Sequence, residues 1–159
     1  ISGFYIPGLA KVIRTCRKEQ DIIIGARMEH EKPLGHAPGQ FIQVSALGFG
    51  EVPVSVCSSP SRSDSIFELC VRPVGNVTRA LYEKNPEDWI GIRGPFGHGF
   101  PVDAMKERDI IVVAGGIGIA PLRSLINYII DNRKNYGRLI VVYGAKTPDL
   151  ILFADDIKQ

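Results

Sequence analysis

The sequence is poor in the residue types that build disulfide frameworks and metal sites. Among 159 residues there are three cysteines and three histidines, and the cysteines Cys16, Cys57 and Cys70 lie far apart. An odd number of scattered cysteines argues against disulfides and zinc and favours a reducing compartment, the cytoplasm. We expect no metal site among these residues and expect Cys57 to be an inert buried thiol.

Strong charge and a long apolar run are also absent. The formal net charge is +2, which excludes a general electrostatic attraction to nucleic acid or membrane. The longest nearly apolar run, Ile110 to Leu122, contains three glycines and a proline and is too short to span a bilayer. No signal peptide is visible at Ile1 to Gly8. Because the chain starts at Ile1 and stops inside a helical pattern, we expect it to be a fragment.

The first half of the chain, residues 1–101, has the pattern of an antiparallel β-domain. Short apolar runs alternate with turn residues from Leu9 to Phe100. In Ile66–Arg72 the apolar residues Phe67, Leu69 and Val71 alternate with polar ones, which is the period of a half-buried strand. Many short strands with frequent turns predict a small antiparallel barrel or sandwich.

The second half, residues 102–159, follows a βαβ pattern. Asp109–Ala114 is a continuous apolar run, typical of a parallel strand that is covered on both faces. The helical period of the next segment places Pro121 at the first helical residue, and Leu139–Tyr143 forms a second strand before a further helix at Asp149–Lys158. We therefore predict an α/β parallel-sheet nucleotide-binding domain that is incomplete in this chain.

A glycine-rich turn joins the first of these strands to its helix. Gly115, Gly116 and Gly118 lie where the unpaired N–H groups at a helix start can bind a phosphate. Without a Cβ, the backbone can approach a pyrophosphate closely. The alternative is a tight turn with a purely structural role. The Lys-Ser/Thr pair of a mononucleotide P-loop is missing, which disfavours ATP hydrolysis.

The second strand ends in Lys146 and Thr147, where a dinucleotide fold meets the adenosine ribose. A basic residue at this position could accept a 2′-phosphate, whereas an acidic one would favour the free hydroxyl. Lys146 could equally be a solvated loop lysine. The choice between NAD and NADP therefore stays open.

Six segments occur in a characteristic order along the chain. They are Pro38-Gly39-Gln40-Phe41, Pro53-Val54-Ser55-Val56, Gly75-Asn76-Val77-Thr78, Gly94-Pro95-Phe96-Gly97, Gly115-Gly116-Ile117-Gly118-Ile119-Ala120-Pro121 and Tyr143-Gly144-Ala145-Lys146-Thr147. This series resembles the ferredoxin–NADP reductase superfamily. The subgroup that it resembles comprises electron-transfer subunits of anaerobic complexes, namely the gamma subunit of sulfhydrogenases and the corresponding subunits of anaerobic sulfite reductase and dihydroorotate dehydrogenase.

The resemblance implies two cofactors, FAD and NAD or NADP. Ser55 would be the catalytic residue, donating a hydrogen bond toward flavin N5; an ordinary strand serine is the alternative. The family's arginine and aromatic residue before that serine are replaced by Val52 and Val54, so Arg72 could supply the missing charge, unless it is solvated. The implied cofactor-binding residues are Pro53, Val54, Ser55, Val56, Val71, Arg72, Gly75, Val77, Thr78, Gly94, Phe96, Gly97, Gly115, Gly116, Gly118, Ala120, Pro121, Gly144, Ala145, Lys146 and Thr147.

For two of these segments a structural role is also open. Gly75 and Thr78 could simply cap a short helix, with Asn76 or Thr78 as the cap, and Phe96 and Gly97 could form a barrel corner. His30, His36 and His98 are expected to be surface or turn residues, since hydride transfer between two cofactors needs no side-chain base.

The implied function is flavin-dependent electron transfer between NAD(P)H and an iron–sulfur partner, as part of a redox complex with other subunits. A [2Fe-2S] cluster is expected only in a missing C-terminal part. One alternative is a non-catalytic docking or regulatory subunit that kept the reductase fold. Another is a generic dinucleotide-binding domain, against which the barrel half argues.

Overall fold

A computed structural model describes residues 7–157 of the chain. Six strands form one antiparallel sheet in the spatial order β4-β3-β6-β1-β2-β5. They are β1 (Gly8–Arg17), β2 (Ile22–Met28), β3 (Phe41–Ala46), β4 (Gly50–Ser55), β5 (Ile66–Val71) and β6 (Trp89–Phe96). A β-bulge between Val12 and Arg14 interrupts the register of β1 against β2, and such bulges bend and twist a strand.

The sheet curls so that its two edge strands meet. Val56, just after β4, forms an antiparallel bridge with Leu69 of β5, and the Cys57 N–H donates to the Glu68 carbonyl at 2.8 Å. The interior is lined by fully buried aliphatic side chains, and helix α1 (Asn76–Tyr82) adds Leu81 to them. The predicted antiparallel barrel is confirmed as a curled six-stranded sheet.

Strand β5 is buried on both faces, so the prediction of a half-buried strand was wrong. Phe67 and Leu69 face the barrel interior, as the alternation indicates. On the other face, Cys70 packs into a second hydrophobic cluster and Glu68 is buried as well. Alternation separates two faces of a strand, but it does not say whether the polar face meets water or a second layer of protein.

The second half contains a two-stranded parallel sheet, β7 (Ile110–Gly115) and β8 (Leu139–Gly144), joined by helix α2 (Ile119–Asp131). Helix α2 covers one face of the sheet with Leu125, Ile126 and Ile129, which are buried. Pro121 is the third residue of the helix rather than its first. The expected helix at Asp149–Lys158 is instead a 3-10 turn, Pro148–Leu150, followed by α3, Ala154–Ile157; Lys158 lies outside the described residues.

The other face of the parallel sheet is exposed, which corrects the expectation of strands covered on both faces. Ile111 and Val113 of β7 are 66% and 69% exposed, and Ile140 and Val142 of β8 are also exposed. A run of apolar residues is compatible with burial on both faces, yet only one covering layer is present among the described residues. Nowhere in residues 7–157 is a helix long and apolar enough to cross a membrane.

Candidate dinucleotide and flavin site

The glycine loop between β7 and α2 borders open space. Gly116 has a φ of +52°, a left-handed conformation that suits glycine, and it begins a 3-10 turn that leads into α2. A Cβ added at Gly115, Gly116, Gly118 or Gly144 would meet no other atom within 4 Å. Packing inside the chain therefore does not require glycine at these positions. A ligand that lies against the backbone would require it.

A cavity of about 550 Å³ lies in front of this loop. Five of the predicted nucleotide residues meet there. Both strand ends contribute to it, as expected for parallel strands whose carboxyl ends lie at one edge of a sheet. The lining residues are Gln20, Arg72, Gly115, Gly116, Ile117, Gly144, Ala145, Lys146 and Leu150. The predicted residues Gly118, Ala120, Pro121 and Thr147 do not line it, and Ala120, in the first turn of α2, is buried in the second hydrophobic cluster.

Tyr143 fixes the shape of the loop. Its hydroxyl donates to the Gly116 carbonyl oxygen at 3.0 Å and accepts a hydrogen bond from the Leu152 N–H at 3.2 Å. The side chain thus ties the glycine turn to the segment that follows β8. In the sequence, Tyr143 stands out only as part of a motif. The contact joins two residues that are 27 positions apart. It could not be predicted from the sequence, because it depends on the parallel pairing of β7 with β8.

On the outer face of the barrel, Ser55, Phe41 and Phe96 lie in a row across three neighbouring strands. Ser55 pairs with Phe41 of β3, and Phe41 pairs with Phe96 of β6. The two ring centroids are 5.9 Å apart at an interplanar angle of 43°. All three side chains are partly exposed. Phe41 was not among the predicted site residues, because its place beside Ser55 depends on the register between strands.

The turn after β6 closes around the same rings. Gly97 has a φ of +81°, and a Cβ there would lie 3.1 Å from the Phe41 ring. Gln40 donates from Nε2 to the Gly97 carbonyl at 2.8 Å. At Gly94, with a φ of +126°, a Cβ would lie 3.1 Å from Phe96 and 3.2 Å from Ile42, so these side chains would have to shift. The predicted residues Gly94, Phe96 and Gly97 therefore form a tightly packed corner next to Ser55.

The other residues of the predicted flavin motif point in different directions. Val54, Val56 and Val71 are buried in the barrel core, whereas Pro53 is exposed. Val52, which stands where the family has an arginine, is partly buried against the same core. The side chains at the family's arginine and aromatic positions thus pack inward as ordinary core residues.

The loop before α1 is held by its own threonine. The N–H groups of Val74 and Gly75 donate to Thr78 Oγ1 at 3.0 and 2.8 Å, and the Thr78 hydroxyl donates back to the Gly75 carbonyl at 3.0 Å. Gly75 is the helix cap, rather than the expected Asn76 or Thr78. Val77 packs partly against the barrel core. The loop therefore caps helix α1, which is the structural role that the sequence left open for it.

A buried ion-pair network joins the barrel to α2. Arg123 of α2 donates from Nη1 to Glu68 Oε2 at 2.7 Å and from Nε to Asp156 at 2.7 Å. Its guanidinium also lies 4.4 Å from the centre of the Phe153 ring. Burial alone would raise the pKa of Glu68, but the hydrogen bond and charge of Arg123 outweigh it and leave that pKa below its ordinary value.

A glycine in β2 lets a second arginine reach Glu68. Gly25 is paired with Arg14 of β1 on one side and with Glu68 of β5 on the other. A Cβ at Gly25 would lie 2.8 Å from the Arg14 side chain. Because that Cβ is absent, Arg14 crosses β2 and donates to Glu68 Oε1 at 2.8 Å.

Two cysteines and one histidine, Cys57, Cys70 and His36, are buried. Burial raises the pKa of the Cys57 thiol to about 12 and also raises the pKa of the Cys70 thiol. Both thiols therefore stay protonated. This agrees with the prediction of an inert Cys57. His36, expected at the surface or in a turn, is buried with Nε2 at 3.1 Å from the Ser58 carbonyl, and burial lowers its pKa.

A glycine cradle at parallel strand ends, next to an antiparallel barrel, defines an NAD-binding oxidoreductase architecture. Residues 112–159 match the family model of the oxidoreductase NAD-binding domain. The fold is shared with solved structures at low identity. The reductase of phthalate dioxygenase has a TM-score of 0.81 at 18% identity, covering 95% of this chain and 47% of that one. The ferredoxin-NADP+ reductase from Plasmodium falciparum has a TM-score of 0.77 at 18% identity, covering 96% and 64%.

The chain thus shares the fold of ferredoxin–NADP+ reductase-like structures, and its sequence is similar to subunits of two redox enzymes. It is 47% identical over 129 residues to the sulfhydrogenase 2 gamma subunit of Pyrococcus furiosus, covering 81% of this chain and 44% of the relative. It is 35% identical over 126 residues to a probable electron transfer subunit of dihydroorotate dehydrogenase B (NAD(+)) from the same organism, covering 79% and 45%. The chain therefore spans less than half the length of either relative. The resemblance to both groups is confirmed, and that to anaerobic sulfite reductase stays a prediction.

Proposed function

We propose that the chain forms the flavin- and nucleotide-binding part of an NAD(P)H-dependent electron-transfer subunit. The observation that carries the proposal is the cavity of about 550 Å³ at the glycine loop. Its backbone glycines leave room for a pyrophosphate, and its cations Arg72 and Lys146 suit the negative charge of a dinucleotide.

The barrel face around Ser55 fits a flavin ring. A planar apolar ring needs an apolar surface beside a hydrogen-bond donor, and here the partly exposed rings of Phe41 and Phe96 form a row that ends at Ser55, which pairs with Phe41. A bound flavin and a bound nicotinamide would together supply the hydride chemistry. For its part, the chain would orient the two groups, with Ser55 donating a hydrogen bond to the flavin ring.

The remaining predicted contacts are assigned as part of the same proposal. Gly75, Val77 and Thr78 would lie along the flavin pyrophosphate, and Lys146 with Thr147 would meet the ribose of the nicotinamide dinucleotide. We also keep the division into a flavin domain, residues 1–101, and a nucleotide domain, residues 102–159. The names of the relatives, both subunits of larger enzymes, support a redox complex with partner subunits.

A second candidate function is a docking or regulatory subunit without flavin. The specific observation in its favour is that Val54 packs into the barrel core and Val52 partly against it, so neither the aromatic nor the charged contact of the family motif is present. Against it stands the pair Phe41 and Phe96, which offers aromatic surface beside Ser55 from other strands.

The visible absorption spectrum of the purified protein, recorded anaerobically before and after NADH or NADPH, tests the proposal. We expect flavin bands near their usual wavelengths that bleach with at least one nucleotide. A protein that stays colourless after incubation with excess FAD would support the docking subunit instead. An iron–sulfur electron acceptor, and a [2Fe-2S] centre outside these 159 residues, are further proposals. Iron analysis of the full-length protein that finds no iron would contradict the latter.

Exchange of Ser55 for alanine separates the role of its hydroxyl from that of the surrounding surface. We expect Ser55→Ala to keep the flavin bands and to slow their bleaching by NAD(P)H roughly tenfold or more, because one donor to the reacting ring is lost. The matched control is Ser63→Ala, which changes an exposed serine on the loop before β5. Equal bleaching rates in Ser55→Ala and the parent protein would remove Ser55 from the mechanism.

A further inference from the structure

Helix α2 is hydrogen-bonded along one side to the chain segment that follows Ser55. The Ser124 hydroxyl donates to the Ser58 carbonyl at 2.7 Å, and the Ser59 hydroxyl donates to Asp131 Oδ2 at 2.6 Å. Ser124 and Asp131 are seven positions apart, which is about two helical turns, so both lie on the same side of α2. We call these two hydrogen bonds the serine contacts.

The serine contacts are buried at the wall of the barrel. Ser58, Ser59 and Ser124 are 1%, 5% and 0% exposed. Ser58 Oγ also accepts from the Glu68 N–H of β5 at 3.0 Å, and the Ser58 carbonyl lies 3.1 Å from His36 Nε2. Buried polar groups that lose a partner cannot replace it with water, so the folded protein keeps both ends of each contact together.

Each side of the Ser58–Ser124 contact lies close to a residue proposed for cofactor binding. Ser58 is the third residue after Ser55, within about 11 Å even along a fully extended chain. Ser124 is the sixth residue after Gly118, about 9 Å along the axis of a helix. The path from the glycine loop to Ser55 is therefore short. It passes through α2 on one side and, on the other, through a barrel edge that is hydrogen-bonded to β5.

We propose that the serine contacts position the glycine loop relative to Ser55 and thereby set the rate of electron transfer between nucleotide and flavin. The proposal rests on the proposed function and deepens it. Reacting groups must approach to about 3–3.5 Å, and a misplacement of about 1 Å can slow a reaction roughly a hundredfold. None of the four residues of the serine contacts lines the nucleotide cavity. Their loss therefore changes alignment and leaves nucleotide affinity in place, which makes them positioning residues.

The variants break the contacts one at a time. Asp131 is exposed at the end of α2, so Asp131→Ala removes an acceptor with little risk to folding. Asp131→Asn keeps an oxygen that can accept from Ser59 and is the conservative rescue. Ser124→Ala removes the other contact. The matched control is Ile129→Val, which shortens a fully buried side chain of the same helix and leaves both contacts intact.

The measurements use the purified full-length protein under anaerobic conditions. They are the flavin content, the affinity for NADH and NADPH, the rate of flavin bleaching at saturating nucleotide and, in the flavin-free protein, amide hydrogen exchange of residues 56–61 by mass spectrometry. We expect Ser124→Ala and Asp131→Ala to exchange faster in this segment and to bleach roughly tenfold more slowly, with flavin content and affinity changed by less than about twofold. Asp131→Asn and Ile129→Val should bleach like the parent protein.

Other results overturn the proposal. Faster exchange with an unchanged bleaching rate would leave the serine contacts a purely structural role. Equal slowing in Ile129→Val would show that any loosening of α2 suffices, and weaker nucleotide binding with an unchanged rate at saturation would assign the contacts to affinity. A parent protein whose flavin bleaches with neither nucleotide would refute the proposed function and the positioning role with it, whereas a bleaching parent with unaffected variants would refute the positioning role alone.

Discussion

The barrel and the two-stranded parallel unit bury their strands in different ways. In the barrel, the aliphatic residues of six strands face one shared interior, and β5 is covered on its outer face as well. In the parallel unit, β7 and β8 are covered by α2 on one face only, and Ile111 and Val113 are exposed on the other. Apolar strands are thus enclosed in the barrel half, whereas in the parallel unit each strand has one exposed face.

The second hydrophobic cluster depends on the barrel for part of its side chains. Cys57 and Cys70 belong to the barrel half but are buried with Ile119, Leu125 and Ile129 of the other half. The barrel core, in contrast, draws its buried residues from the barrel half alone. The contact between the halves therefore forms part of the hydrophobic core of the parallel unit. The buried pair Glu68–Arg123 lies within this contact.

Removing one partner of this pair should have the largest effect. We expect Arg123→Met to lower the free energy of unfolding by about 3–5 kcal/mol, because Glu68 loses its buried cation and keeps only partners of the barrel half, such as the half-exposed Arg14. Urea denaturation followed by tryptophan fluorescence measures the change. In a double-mutant cycle, Glu68→Gln/Arg123→Met should cost clearly less than the sum of the single variants. Strict additivity would mean that the two halves are not coupled by this pair.

Truncating a side chain of the barrel core should cause the second largest loss of stability. Leu69→Ala removes a fully buried side chain of β5, and we expect a loss of about 3 kcal/mol in the same denaturation experiment. The barrel interior has few ways to collapse around the gap, since the sheet closes on itself at the Val56–Leu69 bridge. A loss of stability well below about 1 kcal/mol would show that the barrel interior does collapse around the gap.

Acid should weaken the contact between the halves before it affects the barrel interior. The pKa of Glu68 in the folded protein is below its ordinary value of 4.5. Its ion pairs therefore stabilise the fold fully above that value, and the stabilisation is lost as the pH falls through the folded pKa. We expect the free energy of unfolding to fall between roughly pH 5 and pH 3, the range of a depressed carboxyl. In Glu68→Gln this part of the pH dependence should disappear; an unchanged profile would rule out Glu68 as its source.

Substitutions on the open face should have the smallest effect. Ile111→Thr and Val142→Thr change exposed β-branched residues on the uncovered face of the parallel sheet, and we expect each to alter the free energy of unfolding by no more than about 0.5 kcal/mol. The buried neighbour Val112→Thr serves as the contrast and should cost more. A loss of about 2 kcal/mol from Ile111→Thr would show that something covers this face in solution.

Local patterns were sufficient to predict the two-part architecture. Turn residues between short strands indicated the barrel, and the glycine turn between an apolar strand and an amphipathic helix indicated the nucleotide unit; both are confirmed. The motif residues Gly115, Gly144 and Lys146 also meet in one cavity. These features are local, or depend only on parallel strand ends lying together.

Features that depend on long-range pairing could not be predicted. The position of Phe41 beside Ser55 and Phe96 depends on the register of three strands. The burial of Glu68 depends on Arg123, and the path of Arg14 across β2 depends on Gly25. Alternation marked Glu68 as the polar side of a strand, and only the packing of α2 shows that this side is buried.

The pairing of Glu68 with Arg123 also sets an order of events during synthesis on the ribosome. The two residues are 55 positions apart, so at translation rates of roughly 5–20 residues per second Arg123 emerges about 3–11 s after Glu68. Strands β1 to β6 are complete before that moment. During that delay α2 is not available to cover the outer face of β5, and the partners within reach of Glu68 are those of the barrel half, such as Arg14.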